Sequence, residues 1–132
     1  MPIEIGMKFT TETIVDEKNT ASAVGSGLID VFATPMMIAQ MELAASSCIA
    51  SALDEGQASV GTKIDVSHSA ATPVGMKVTA TATVTGVDRR RVDFDVTAHD
   101  EAGEIGTGTH TRFIIDTAKF MEKTNAKLVE KA

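Results

Sequence analysis

Two hydrophobic periods run along this chain, and they change over at Gly56. Upstream, the stretch from Thr34 to Leu53 is apolar almost all round and predicts one long helix. A threonine hydroxyl ahead of Pro35 is a start signal, with Thr34 at the cap and proline at the first helical position. Gly56, after Asp54-Glu55, is the natural stop. Steps of three and four from Ile38 reach Glu42, Ala45, Ile49 and Leu53, the face expected to be buried. Downstream the period is 2: Val60, Thr62, Ile64, Val66, His68 and Ala70 fall on one side, and Gly61, Lys63, Asp65, Ser67 and Ser69 on the other. Thr72-Pro73-Val74-Gly75 interrupts the pattern, which resumes over Met76–Val87, turns at Asp88-Arg89-Arg90, and continues through Val92, Phe94, Val96 and Ala98. Asp100–Gly103 reads as a hairpin loop before a last strand from Glu104 to Asp116. Ahead of the helix, Ile5–Val15 reads as a strand and Thr20–Val24 as a second, short one. The tail from Thr117 has a weak helical pattern carried by Phe120, Met121 and Leu128.

Clean alternation over strands joined by short turns predicts an antiparallel sheet. A helix with almost no polar face needs a sheet that curls around it, and pairing with a second copy of the chain would complete its burial. With 132 residues, residues 1–132 are expected to form a single domain with its own core. The apolar run is broken by Gln40, Glu42 and three serines, which suits a core helix better than a membrane span. No secretory signal is visible at the N-terminus, and the one cysteine, Cys48, is expected to be a buried thiol. Both fit a reducing cytoplasm. A net charge of −6 argues against a nucleic-acid partner. The one basic run, Arg89-Arg90-Arg91, is either a solvated turn or a place to hold the phosphates of a nucleotide-bearing substrate.

Three residues stand out chemically. Glu42 lies where an ionised carboxylate must find a partner or become neutral, so it marks either a functional site or a structural ion pair. His68 sits on the apolar strand face that should meet the same helix. It is either a satisfied core histidine or an imidazole oriented by Glu42 as a general base. Thr34 is either a simple cap or part of an oxyanion-binding helix terminus. Eight helical residues separate Thr34 from Glu42 by roughly 12 Å along the axis. Two copies with antiparallel helices could bring Thr34 of one towards Glu42 of the other, which predicts a homodimer with two equivalent interface sites; a Thr34 that precedes the helix in a folded-back loop would instead allow a one-chain site.

The order and spacing of Thr34, Glu42 and His68, with Gly61 ahead of the histidine and Arg112 in Thr111-Arg112-Phe113, resemble the fluoroacetyl-CoA thioesterase-like branch of the hot-dog superfamily. The similarity runs from about Ile5 to Asp116 and includes the order of elements. It implies an α+β hot-dog fold: a curled antiparallel five-stranded sheet around one long apolar helix, with a short C-terminal helix. It also implies a dimer that hydrolyses acyl-CoA thioesters without metal or organic cofactor. Thr34, Glu42 and His68 would form the catalytic set, and Gly61 and Arg112 would line the substrate site. The fluoroacetate-directed member covers its pocket with aromatic residues before the helix. Here Ala23–Ile29 contains none, so a different acyl group is expected.

Two rivals use the same fold: a non-catalytic binder of acyl-CoA or a small apolar ligand, and an enoyl-thioester hydratase. Met36, Met37 and Met41 could line an apolar pocket or fill the core. His99 is expected to be solvated, and His110 to be a surface residue or a support for the site. The histidines show no metal-ligand spacing.

Overall fold

The computed structural model describes residues 2–131; Met1 and Ala132, the ends of the expected domain, lie outside the described residues. The elements are β1 (Lys8–Ile14), α1 (Ala21–Val24), α2 (Thr34–Ala50), β2 (Gln57–His68), β3 (Lys77–Asp88), β4 (Arg91–His99), β5 (Glu104–Asp116) and α3 (Thr117–Lys131). All five strands pair antiparallel in one sheet, in the order β1-β3-β4-β5-β2, so β1 and β2 are its edges. The long helix lies in the hollow of this sheet. Alternate residues of β3 (Val78, Ala80, Ala82, Val84) and β4 (Val92, Phe94, Val96, Ala98) are buried beneath it. The alanines keep the sheet surface low enough for the helix to approach, and Ala44 and Ala45 do the same from the helix side. Each of the large side chains Met37, Met41 and Ile49 that fill the remaining space contributes roughly 1.5–3 kcal/mol.

Several expectations need correction. Thr20–Val24 is not a strand: the Thr20 hydroxyl accepts from Ala23 N–H and caps the single-turn helix α1, which Gly25 ends at φ +82°. The local cap and a glycine in the left-handed region outweigh the β-branched residues. The cap of α2 is Ala33 and makes no side-chain hydrogen bond, so Thr34 is the first helical residue and does not cap. The helix ends at Ala50, and Gly56 (φ +83°) belongs to the turn that leads into β2.

The buried stripe of α2 is Met37, Met41, Ala44, Ala45, Cys48 and Ile49, rotated by one residue from the expected Ile38–Glu42 face. An apolar surface all round leaves the helix's rotation undetermined, and the sheet selects the side with small residues between methionines. Glu42 is therefore only half-buried, with 42% of its side chain exposed. Met37 and Met41 belong to the core.

Strand β2 carries a bulge. Gly61 pairs with Arg112 but Lys63 pairs with Thr111, leaving Thr62 as an extra residue. The alternation thus reverses at Thr62. Gly61, and not Val60, shares the inner face with Ile64, Val66 and His68, which pair with His110, Gly108 and Gly106. Gly106 leaves room for Met37: a Cβ there would lie 2.6 Å from its Sδ.

Candidate active site

Two polar clusters sit on the inner face, one at each end of the crossing between α2 and β2. At the first, the start of α2 brings the Thr34 hydroxyl to 2.7 Å from His68 Nδ1, at the last residue of β2. His68 Nε2 is shielded from solvent and has no hydrogen-bond partner among the described residues. Burial pushes the imidazole below its ordinary pKa, opposed by the neighbouring Ala70 backbone, so the ring is held towards its neutral, basic form. The pair opens into a cleft of about 250 Å³, whose walls include Phe32, Ser26 and Ala70. The helix terminus offers less than a full set of free amides. Pro35 has none, and the N–H groups of Met36 and Met37 both donate to Ala33 O at 3.0 Å. The Thr34 N–H finds no acceptor among the described residues and is the donor available to an oxyanion.

The second cluster forms around Glu42. Arg112, almost fully buried, lies 3.8 Å from the Glu42 carboxylate through Nη1. The rest of its guanidinium is tied down: Nε donates to Ser59 Oγ at 2.8 Å and Nη2 to Ser59 O at 2.9 Å. Burial lowers the Arg112 pKa and Glu42 opposes the shift. His110, 2% exposed, meets Arg112 Nη1 at 3.3 Å and Lys63 O at 2.7 Å. Gly61 is required by this crowding. A Cβ there would fall 2.7 Å from Glu42 Oε2, 3.0 Å from His110 Cε1 and 3.3 Å from Arg112 Nη1.

Thr34 with His68, and Glu42 with Gly61 and Arg112, are thus brought together as two separate groups. The expected meeting of Glu42 with His68 does not occur within one subunit. Arg112, which meets Glu42, and Gly106, the strand partner of His68, are six residues apart on β5, roughly 20 Å along the sheet. Ser59 escaped the sequence reading because its face depends on the bulge, which alternation cannot reveal. His110 is the buried support and not the surface residue, whereas His99 is exposed as expected. No group of His, Cys, Asp and Glu among the described residues could hold a metal ion.

A curled five-stranded antiparallel sheet wrapped on one long helix is the hot-dog fold of the thioesterase superfamily. A Thermus thermophilus protein described as a thioesterase superfamily member superposes with a TM-score of 0.88 at 32% identity, covering 98% of this chain and 96% of that one. The family model for fluoroacetyl-CoA-specific thioesterase (FlK) matches residues 15–118. The fluoroacetyl-CoA thioesterase of Streptantibioticus cattleyicolor is 39% identical over 131 residues, 95% of this chain and 94% of its own. A variant of a fluoroacetyl-CoA-specific thioesterase, solved with fluoroacetate and CoA, gives a TM-score of 0.85 at 39% identity over 89% of this chain and 99% of that one. The chain belongs to the fluoroacetyl-CoA-specific thioesterase family. It is a thioester hydrolase.

Proposed function

We propose that this protein hydrolyses small acyl-CoA thioesters at two sites of a homodimer, each joining Thr34 and His68 of one copy to Glu42, Gly61 and Arg112 of the other. The observation that carries this reading is a shared midpoint. Thr34 and Glu42 lie symmetrically about Ile38 on α2, and His68 and Gly61 lie symmetrically about Ile64–Asp65 on β2. One two-fold axis through both midpoints would run the helices antiparallel and exchange the two clusters. The same axis pairs β2, an edge strand, with its own copy and removes an exposed edge. Half-exposed Glu42 and Leu43, which is 51% exposed, lie on the side of α2 that such a partner covers.

In the completed site the thioester carbonyl oxygen takes the Thr34 N–H, backed by the helix dipole, while the Thr34 hydroxyl and His68 bracket the reacting carbon. A preorganised donor of this kind is worth roughly 2.7–4 kcal/mol when charge develops on the oxygen. Glu42, oriented by Arg112, removes a proton from water with His68, and the water oxygen bonds to the carbonyl carbon. The C–S bond then breaks, and the departing thiolate takes up a proton to give free CoA and the acid. Direct attack by Glu42, through a transient anhydride, uses the same groups. Labelled water oxygen appearing in the Glu42 carboxylate identifies that second route.

The acyl group is read as one other than fluoroacetyl. The segment before the helix that would cover it, Ala23–Ile29, has no aromatic side chain, and Leu28 stands 93% exposed at that level. Buried, unpaired Cys48 suits a reducing compartment such as the cytoplasm. Residues 1–132 act as one unit in this reading, with no resident metal or cofactor. A panel of acyl-CoAs with a thiol-reactive dye tests the activity. Thiol release is expected with small acyl groups, and binding without any release would make the protein a non-catalytic carrier.

A further inference from the structure

The buried group that this mechanism leaves unused is His110. It lies in the middle of β5, opposite Phe94 on β4 and Ile64 on β2, with its ring stacked on Phe94 at a centroid distance of 6.1 Å. Its two nitrogens face partners that leave no choice of protonation. Lys63 O can only accept, so Nδ1 carries the proton; Arg112 Nη1 can only donate, so Nε2 must keep its lone pair. A carbonyl on one side and a guanidinium on the other select one tautomer of the neutral ring. The carbonyl is that of the residue immediately after the bulge, and the bulge is what turns Gly61 onto the inner face.

We infer that His110 is a positioning residue: as the neutral, Nδ1-protonated imidazole it ties the β2 bulge to Arg112 and so sets the guanidinium that meets Glu42. The inference rests on the reading that Arg112 and Glu42 belong to the site. A second proton would place an Nε2–H against an Arg112 N–H, replacing a hydrogen bond with repulsion between cations. The charged groups facing the ring are Glu42 from α2 and Arg112 from β5; β4 presents apolar Phe94, and β2 presents the Lys63 carbonyl while its side chain is exposed. Burial and the Arg112 cation both hold the imidazole below its ordinary pKa, against the Lys63 hydrogen bond and Glu42. The same ring closes one wall around Gly61, 3.0 Å from where a Cβ would be. Beside the direct field of Glu42 on the ring, His110 is tied to the site by its contact with Arg112, which it joins to the bulge.

The test has two arms on the full-length protein. Nitrogen-detected NMR of ¹⁵N-histidine-labelled wild type should show His110 as the Nδ1–H neutral tautomer at neutral pH, and still mostly neutral at the ordinary imidazole pKa of about 6.5. The Nε2–H tautomer, or an imidazolium at neutral pH, overturns the inference whatever the activity. For the second arm, acyl-CoA hydrolysis is compared in His110→Phe, which keeps the stacking on Phe94, in Arg112→Lys, and in the double variant. His110→Phe is expected to lose about tenfold or more in kcat/KM, and the double variant to be no worse than Arg112→Lys alone. Additive losses overturn the inference, because they would mean His110 acts independently of Arg112. Wild-type activity in Arg112→Lys would instead sink the site reading beneath it.

Discussion

The two polar clusters on the inner face are built in opposite ways. Around Glu42 every supporting atom is fixed: Arg112 is held by Ser59 twice and by His110, His110 by Lys63, and glycine at 61 is the only residue that leaves room. Around Thr34 the hydroxyl meets His68 beside an open cleft. The braced cluster can hold a carboxylate in place but has no histidine–hydroxyl pair like that of Thr34 and His68 among the described residues. The open cluster has the donor and the imidazole but no acid. Each lacks what the other has, and the proposed two-fold axis would supply it.

Glu42→Gln probes the braced end most severely. It keeps the side chain's shape and removes its base, and roughly 10²–10⁴-fold of kcat should disappear with the melting temperature nearly unchanged. Turnover near wild type would exclude Glu42 from the chemistry. His68→Ala should be comparably inactive, which allows a sharper test of the comparison. Refolding equal amounts of the two inactive variants together should restore about a quarter of wild-type activity, since half of the random dimers are mixed and each contains one intact site. If mixing restores nothing, the clusters do not complement one another across an interface.

Smaller effects separate the clusters further. Gly61→Ala pushes Glu42 and Arg112 apart and should cost up to about 10²-fold in kcat/KM through misplacement alone. Thr34→Ala should cost about tenfold, the loss of one hydrogen bond with the amide donor left in place. Its thermal stability should barely move because Ala33, not Thr34, occupies the cap position; a clear loss of melting temperature with full activity would reverse that assignment.

The smallest effect concerns pH and stability. His68 and His110 both have pKa values below the ordinary 6.5 in the folded protein. The unfolded chain therefore binds more protons in the window below 6.5, so these two residues make stability fall as pH drops through it. Above 6.5 both states hold neutral rings and the effect vanishes. Melting curves over this range should flatten in a His68→Ala, His110→Phe double variant, and an unchanged slope would contradict the assigned shifts.

The strands β3 and β4 were legible because small apolar residues alternate with polar ones along them, and β5 because a hairpin loop precedes it. The helix was legible as an element but not in its rotation, since Ile38, Met41, Leu43 and Ala45 offer apolar surface on every side. The residues Thr34, Glu42, His68, Gly61 and Arg112 could be singled out by residue type and by their resemblance to a family. The separation of Thr34 from Glu42 followed from helix rise, but the grouping of His68 with Thr34 rather than with Glu42 could not be read, because it depends on how α2 and β2 lie side by side.

Periodicity by itself determined that this chain makes a long apolar helix and a curling antiparallel sheet, for the spacing of side chains is a local property of the backbone. Tertiary structure decided which stripe of the helix is buried, where β2 gains its extra residue, and therefore that Gly61 faces Glu42 while His110 stands behind Arg112. Those outcomes depend on the fit between surfaces distant in sequence, and one added residue in a strand exchanges its two faces.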